Sequence, residues 1–167
     1  MMRRVFAVSA VLIFATVCAT PEARSQPAPL APFERLIGGE WRSGNTVQVF
    51  EWGPGRSSVI ARSYTAEAGR KVPSSVGIWY WHPGEKTIEG RATAVNMPVS
   101  LFEYKTRFEG DVMRSELVTH SADGETGVFV ETWEFTGKDA YEWRLLLPRP
   151  DRTEVVMSAT FGRRARQ

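Results

Sequence analysis

The sequence predicts an all-β protein: a single antiparallel up-and-down β-barrel of about 8–10 strands behind a short N-terminal helical turn. Three observations carry this. From Val47 onward the chain is a series of short runs in which apolar and polar residues alternate, with no long helical period. Turn chemistry divides the runs at close intervals: Gly53-Pro54-Gly55, Pro83-Gly84, Gly110-Asp111 and Gly137-Lys138-Asp139. At the head of the series stands Leu36-Ile37-Gly38-Gly39-Glu40-Trp41, a glycine pair leading into a tryptophan.

Each element follows from its residues. Gln26 to Pro32 holds Pro27, Pro29 and Pro32 and reads as a linker. Phe33 to Ile37 places Phe33, Leu36 and Ile37 on one face of a helical turn, and Gly38-Gly39 ends it. Strand-like runs then cover Val47–Trp52, Ser58–Thr65, Val76–His82, Lys86–Ala94, Val99–Glu109, Val112–Thr119, Val128–Phe135, Ala140–Leu147 and Thr153–Phe161. Ala66 to Ser75, with Gly69 and Pro73, reads as a longer mobile loop, and Ser121 to Gly127 as a polar one. Short connections make neighbours in sequence neighbours in the sheet, and a long meander tends to close because closure removes both edges. Along Ser100, Phe102, Tyr104, Thr106 and Phe108 one face is aromatic, while Glu103, Lys105 and Arg107 face water. Ile78-Trp79-Tyr80-Trp81 and Leu145-Leu146-Leu147 are apolar on both faces, so a turn, a loop or a second subunit is expected to cover them.

The first 25 residues read as a secretory signal. Met1 to Arg4 is basic, Val5 to Ala19 is uncharged and apolar, and Ala23-Arg24-Ser25 fits a small-x-small cleavage site. The apolar run falls short of the roughly 20 residues a bilayer crossing needs. The expected organisation is a signal peptide at 1–25, a linker at 26–32, a barrel at 33–161 and a basic tail at 162–167, in a periplasmic or secreted protein. Cys18 is the sole cysteine, so the mature chain has none. Lys and Arg number 21 against 19 Asp and Glu. Losing Arg3, Arg4, Arg24 and Glu22 with the signal balances the two signs. With Arg163, Arg164 and Arg166 in the tail, the barrel body is net acidic, which argues against a nucleic-acid surface.

A helical turn, then Gly39-Glu40-Trp41 entering the first strand of a meander, resembles the calycin superfamily of lipocalins, fatty-acid-binding proteins and nitrobindin-like barrels. With Gly77-Ile78-Trp79-Tyr80-Trp81-His82-Pro83-Gly84 and Phe108-Glu109-Gly110-Asp111, the closer resemblance is to bacterial exported lipocalin-like domains of unknown function. It spans about Phe33 to Phe161. The resemblance implies that Trp41 plugs the closed end of the barrel with an arginine packed on it, either Arg163 or Arg144. Nitrobindin-like barrels hold haem through a histidine near the C-terminal end. This chain has no histidine after His120, so haem is not expected.

Catalytic signatures are sparse. His82 and His120 are the two histidines and read as exposed loop residues, too few for an expected zinc site. There is no Gly-x-Ser-x-Gly elbow and no phosphate loop followed by a helix. No cofactor, metal or catalytic residue is expected. The remaining feature is an aromatic load that either fills the core or walls a cavity: Trp41, Trp52, Trp79, Trp81, Trp133 and Trp143, with four tyrosines. The expected ligand residues are Arg62, Tyr64, Trp79, Trp81, Phe102, Tyr104 and Trp133. Arg62, between Ile60 and Tyr64 on its strand face, is the arginine chosen to anchor a carboxylate or similar head group; the alternative is an outward Arg62 in a surface salt bridge. The expected function is non-catalytic binding of a small apolar or amphipathic molecule. The alternatives are a small isomerase or hydrolase using the same cavity, and an envelope interaction protein with a filled barrel, dimeric through Ile78–Trp81.

Overall fold

A computed structural model describes residues 28–165. The expected signal peptide, the start of the linker and the last two residues lie outside this range. Ten strands follow a 3-10 helix over Ala31–Leu36. They are β1 (Glu40–Ser43), β2 (Thr46–Trp52), β3 (Ser58–Glu67), β4 (Arg70–His82), β5 (Thr87–Ala94), β6 (Val99–Glu109), β7 (Val112–Ser121), β8 (Thr126–Phe135), β9 (Ala140–Pro148) and β10 (Thr153–Arg164). Each pairs antiparallel with the next, and β1 pairs with β10 to close the barrel. The closing register sets Trp41 opposite Arg163 and Glu40 opposite Arg164. Gly162 to Arg164, expected in a basic tail, are therefore strand residues that complete the closure.

The segment Ala66–Ser75 is a hairpin and not the mobile loop its Gly and Pro suggested. The chain turns at Ala68 and Gly69, both at positive φ (47° and 76°), the geometry that suits a two-residue hairpin. Pro73 is accommodated by a bulge in its own strand: Ser63 pairs with Ser75 and Tyr64 with Pro73, so Ser74 has no partner residue on β3. A proline without an N–H is tolerated where the hydrogen-bond ladder is already broken.

The N-terminal helix seals one end. Phe33 and Leu36 are buried, and the Phe33 ring meets Phe108 edge-on at 5.0 Å and Trp79 at 6.3 Å. Trp41 is fully buried beside them, and its Nε1 donates to the Leu36 carbonyl at 2.9 Å. The Arg163 guanidinium lies 4.5 Å from the Trp41 ring centroid. It also donates to the carbonyls of Ile37 and Arg35, so one cation ties strand closure, plug and helix end together. Arg144, the other arginine the resemblance allowed, pairs with Glu134 and Glu142 instead. Above Trp41 the rings of Phe161, Tyr141 and Trp133 stack in sequence, with centroids 5.0 and 4.9 Å apart. The lower half of the barrel is thus solid.

Gly38 and Gly39 hold φ of +83° and +72°, the left-handed region that side chains resist. A Cβ on Gly39 would also lie 2.8 Å from the Arg164 carbonyl oxygen, a backbone atom that cannot rotate away. Gly39→Ala is therefore expected to lower stability by about 1–3 kcal/mol, read from urea denaturation. An unchanged midpoint would show that β1 and β10 separate there at no cost.

Candidate functional site

The upper half of the barrel is hollow, and side-chain size explains why. The inward positions of β3, β4 and β5 carry Ala61, Ser63, Ser75, Gly77 and Ala92, all small. They face aromatic residues from β6, β8 and β9, and the difference in volume leaves space. An inner chamber of about 80 Å3 lies against the aromatic plug, floored by Phe50, Trp79 and Trp133. An outer chamber of about 300 Å3 lies beyond it, walled by Phe102, Leu117, Trp143, Leu145 and Met157. Gln48, Ser75, Ala92, Tyr104 and Glu131 border both. Strand registers put this region at the end opposite the helix, toward the turns at 95–98, 122–125 and 149–152. Val95, Met97 and Met157 line the outer chamber while being more than half or half exposed, so it opens to solvent there.

Glu131 is the ionisable carboxyl of this interior. It is 6% exposed, on the face of β8 that also carries Trp133 and Phe135. Its Oε1 accepts a hydrogen bond from Trp143 Nε1, while Oε2 has no protein partner. Burial pushes the Glu131 carboxyl above the usual carboxylate range, and the Trp143 bond opposes that rise. Trp133 Nε1 approaches the same carboxyl without reaching hydrogen-bond geometry and has no partner of its own. Trp79 Nε1 is likewise buried and unpaired. The hydroxyls of Tyr104 and Tyr141 are pushed well above their ordinary range by burial first and the Glu131 charge second. Tyr141 donates its proton to Gln48 Oε1 across the barrel. No Lys, Arg or His lines either chamber among the described residues.

Trp79 owes its position to Gly90. A Cβ at residue 90 would fall 2.6 Å from Trp79 Nε1 and 2.7 Å from its Cδ1. Gly90→Ala is expected to displace the indole from the chamber floor at about 1–3 kcal/mol in stability, with a shifted tryptophan emission as the readout. An emission spectrum and unfolding midpoint like the wild type's would remove Gly90 from this role.

The structure brings Trp79, Phe102, Tyr104 and Trp133 together around the chambers. Trp81 packs, half-buried, against the core. Arg62 and Tyr64 do not reach the cavity, because they alternate with the inward Ala61 and Ser63. Arg62 pairs with Glu51 at 2.8 Å and borders an outer groove with Ile60, Val76, Ile78 and Arg91. Glu131 and Gln48 carry no role in the sequence analysis, and Trp143 enters it only as part of the aromatic load. For Glu131 a signal existed: positions 129, 131, 133 and 135 read Phe, Glu, Trp, Phe, an acid on an aromatic face.

The two histidines sit in other settings. His120 lies in β7, with Nε2 3.0 Å from Glu103. The ligating atoms of His82, Glu85 and Glu89 lie within 4.8 Å of one another, which is spacing a metal site would use. Each is already engaged: His82 Nδ1 accepts the Glu85 amide, Lys105 pairs with Glu85, and Tyr80 donates to Glu89. Neither the protein-family models nor the curated proteins compared with this chain give a match, and a closed ten-stranded antiparallel barrel is consistent with a calycin-like fold.

Proposed function

We propose that this protein binds a small apolar or amphipathic molecule inside its barrel, in the manner of exported lipocalin-like domains. The observation that carries this reading is the outer chamber. It is open at the unsealed end, walled by aromatic and aliphatic side chains, and shares five lining residues with a small chamber below. Its volume of about 300 Å3 falls at the lower end of the range for ligand pockets. An apolar ligand portion would replace solvent against Phe102, Leu117 and Leu145, at roughly 25 cal/mol per Å2 buried. The expected signal at residues 1–25 would deliver the barrel to the periplasm or beyond. Recovery of a mature N-terminus near Gln26 from a secreting cell supports that delivery.

The test is titration with Nile red, an uncharged probe, against wild type and Ala92→Phe. Ala92 borders both chambers, so a phenyl ring there fills their junction. Saturable binding in the wild type that Ala92→Phe abolishes, with the far-ultraviolet circular dichroism retained, supports the reading. Should Ala92→Phe misfold, Leu117→Trp narrows the outer chamber instead. Equal binding by both folded variants would place the probe elsewhere and sink the proposal.

One observation favours a second reading, a small enzyme using the same cavity. Glu131 is a buried carboxyl with raised proton affinity beside a pocket, a setting that general acid–base catalysis exploits. On that reading Glu131→Gln eliminates turnover and leaves binding in place. The filled-barrel reading finds less support, because the two chambers leave the upper interior open. A dimer through β4 would have to use its outward residues, Val76 and Ile78, since Trp79 and Trp81 turn inward.

A further inference from the structure

The proposed binding reading leaves the ligand's polar end unspecified. Resting on that reading, we infer that the ligand carries an uncharged head that both donates and accepts hydrogen bonds, a hydroxyl or a primary amide. The head docks in the inner chamber against Glu131 and Trp133.

Two side chains that line this chamber, each more than nine-tenths buried, carry a polar atom without a hydrogen-bond partner: Glu131 Oε2 and Trp133 Nε1, which approach one another. An unpaired buried polar group is costly, and native interiors seldom keep two at one place without a use for them. The set comprises one carboxyl oxygen and one N–H donor. A hydroxyl can bridge them, donating to the oxygen and accepting from the indole, and a primary amide has the same two capacities. The chamber is about 80 Å3, two or three times the roughly 30 Å3 volume of a water molecule, which suits a head of that size.

Charged heads fit less well. A carboxylate would enter a space with no Lys, Arg or His in its lining and a carboxyl already there. An ammonium would pair with Glu131 only when that group is ionised, which its burial opposes, and it offers no acceptor to the Trp133 indole N–H. A hydroxyl or amide fits either protonation state of Glu131, because it can take the proton-donor or the proton-acceptor part. Arg62, which would have favoured an acid, lies on the outer face paired with Glu51.

The test is displacement of Nile red from the full mature chain at neutral pH by four ligands with the same eight-carbon tail: octan-1-ol, octanamide, octanoate and octylammonium. The expected result is that alcohol and amide displace the probe at concentrations about tenfold or more below those needed for either charged ligand. Glu131→Leu, which replaces the carboxyl with an apolar group of similar size, should shrink that preference while Nile red still binds. Phe102→Ala, in the outer chamber, should weaken all four ligands together and preserve their order. Octanoate or octylammonium binding as tightly as the alcohol overturns the head-group assignment, as does a preference that survives Glu131→Leu. These results leave the cavity itself intact as the binding site. If Nile red and all four ligands fail to bind, the site falls and the head-group assignment falls with it.

Discussion

Trp41→Ala is expected to unfold at a much lower urea concentration than the wild type, losing about 3–5 kcal/mol, the usual cost of truncating a buried Phe or Trp to Ala. Domains of this size are stable by only about 5–15 kcal/mol, so the loss is a large fraction of the whole. The cost should fall in the upper part of that span for a structural reason. Trp41 is fully buried, and its truncation opens a cavity between Tyr141 and the N-terminal helix. It also strips the Leu36 carbonyl of its indole donor and leaves the Arg163 guanidinium without the ring beneath it. Arg163 would retain its bonds to Ile37 and Arg35, so helix and strand closure should not separate entirely. Arg163→Met tests this division. It keeps much of the aliphatic stem but loses the cation and its donors, and should cost less than Trp41→Ala. If Arg163→Met proves the more damaging, the seal is held by hydrogen bonding to the helix end and not by the buried indole.

The tryptophan plug was legible because its signal is local. Gly38-Gly39 and Trp41 are consecutive residues whose backbone and size requirements can be read together. Strand alternation was legible for the same reason, and it placed Phe102 and Tyr104 inward. Closure at Gly162–Arg164 was not legible. Nothing about those residues distinguishes a strand from a tail until β1 is available to pair with them. The hairpin at Ala68-Gly69 was hidden because Pro73 normally breaks a strand. Its tolerance depends on a bulge at Ser74 that appears only when β3 and β4 pair, which composition does not reveal.

The cavity was legible only in part, and the reason is again distance. A hollow needs small residues on some strands to face large ones on others. Ala61, Ser63, Ser75 and Ala92 become a wall only once β3, β4 and β5 are side by side. Arg62 attracted attention as a cation among apolar neighbours, but the cavity is lined by the residues alternating with it. Glu131 does not stand out in composition because most glutamates in these strands face water; its own face is shared with Phe129, Trp133 and Phe135.

That buried carboxyl should also leave a signature in stability against pH. Because burial raises the Glu131 proton affinity in the folded state, the folded protein binds this proton more tightly than the unfolded chain does. The resulting stabilisation is fully present below the ordinary carboxylate value of 4.5 and is lost as pH rises through the higher folded value. Each tenfold of extra proton affinity corresponds to about 1.4 kcal/mol. Glu40 acts in the opposite sense. Its hydrogen bond to Lys71 is the main cause holding its carboxyl below 4.5, with Arg42 adding to it, so its contribution is present above 4.5 and lost as pH falls. Glu131→Gln removes the first effect and leaves the second. Urea denaturation from about pH 4 to pH 9 should show the variant gaining on the wild type as pH rises, with the difference levelling off above the folded Glu131 value. The range stops short of the region where Tyr104 and Tyr141, also raised by burial, begin to ionise. Parallel curves for the two proteins would mean that Glu131 titrates normally. The carboxyl would then be solvated when the barrel is free in solution, and the inner chamber would be open to water on the same timescale.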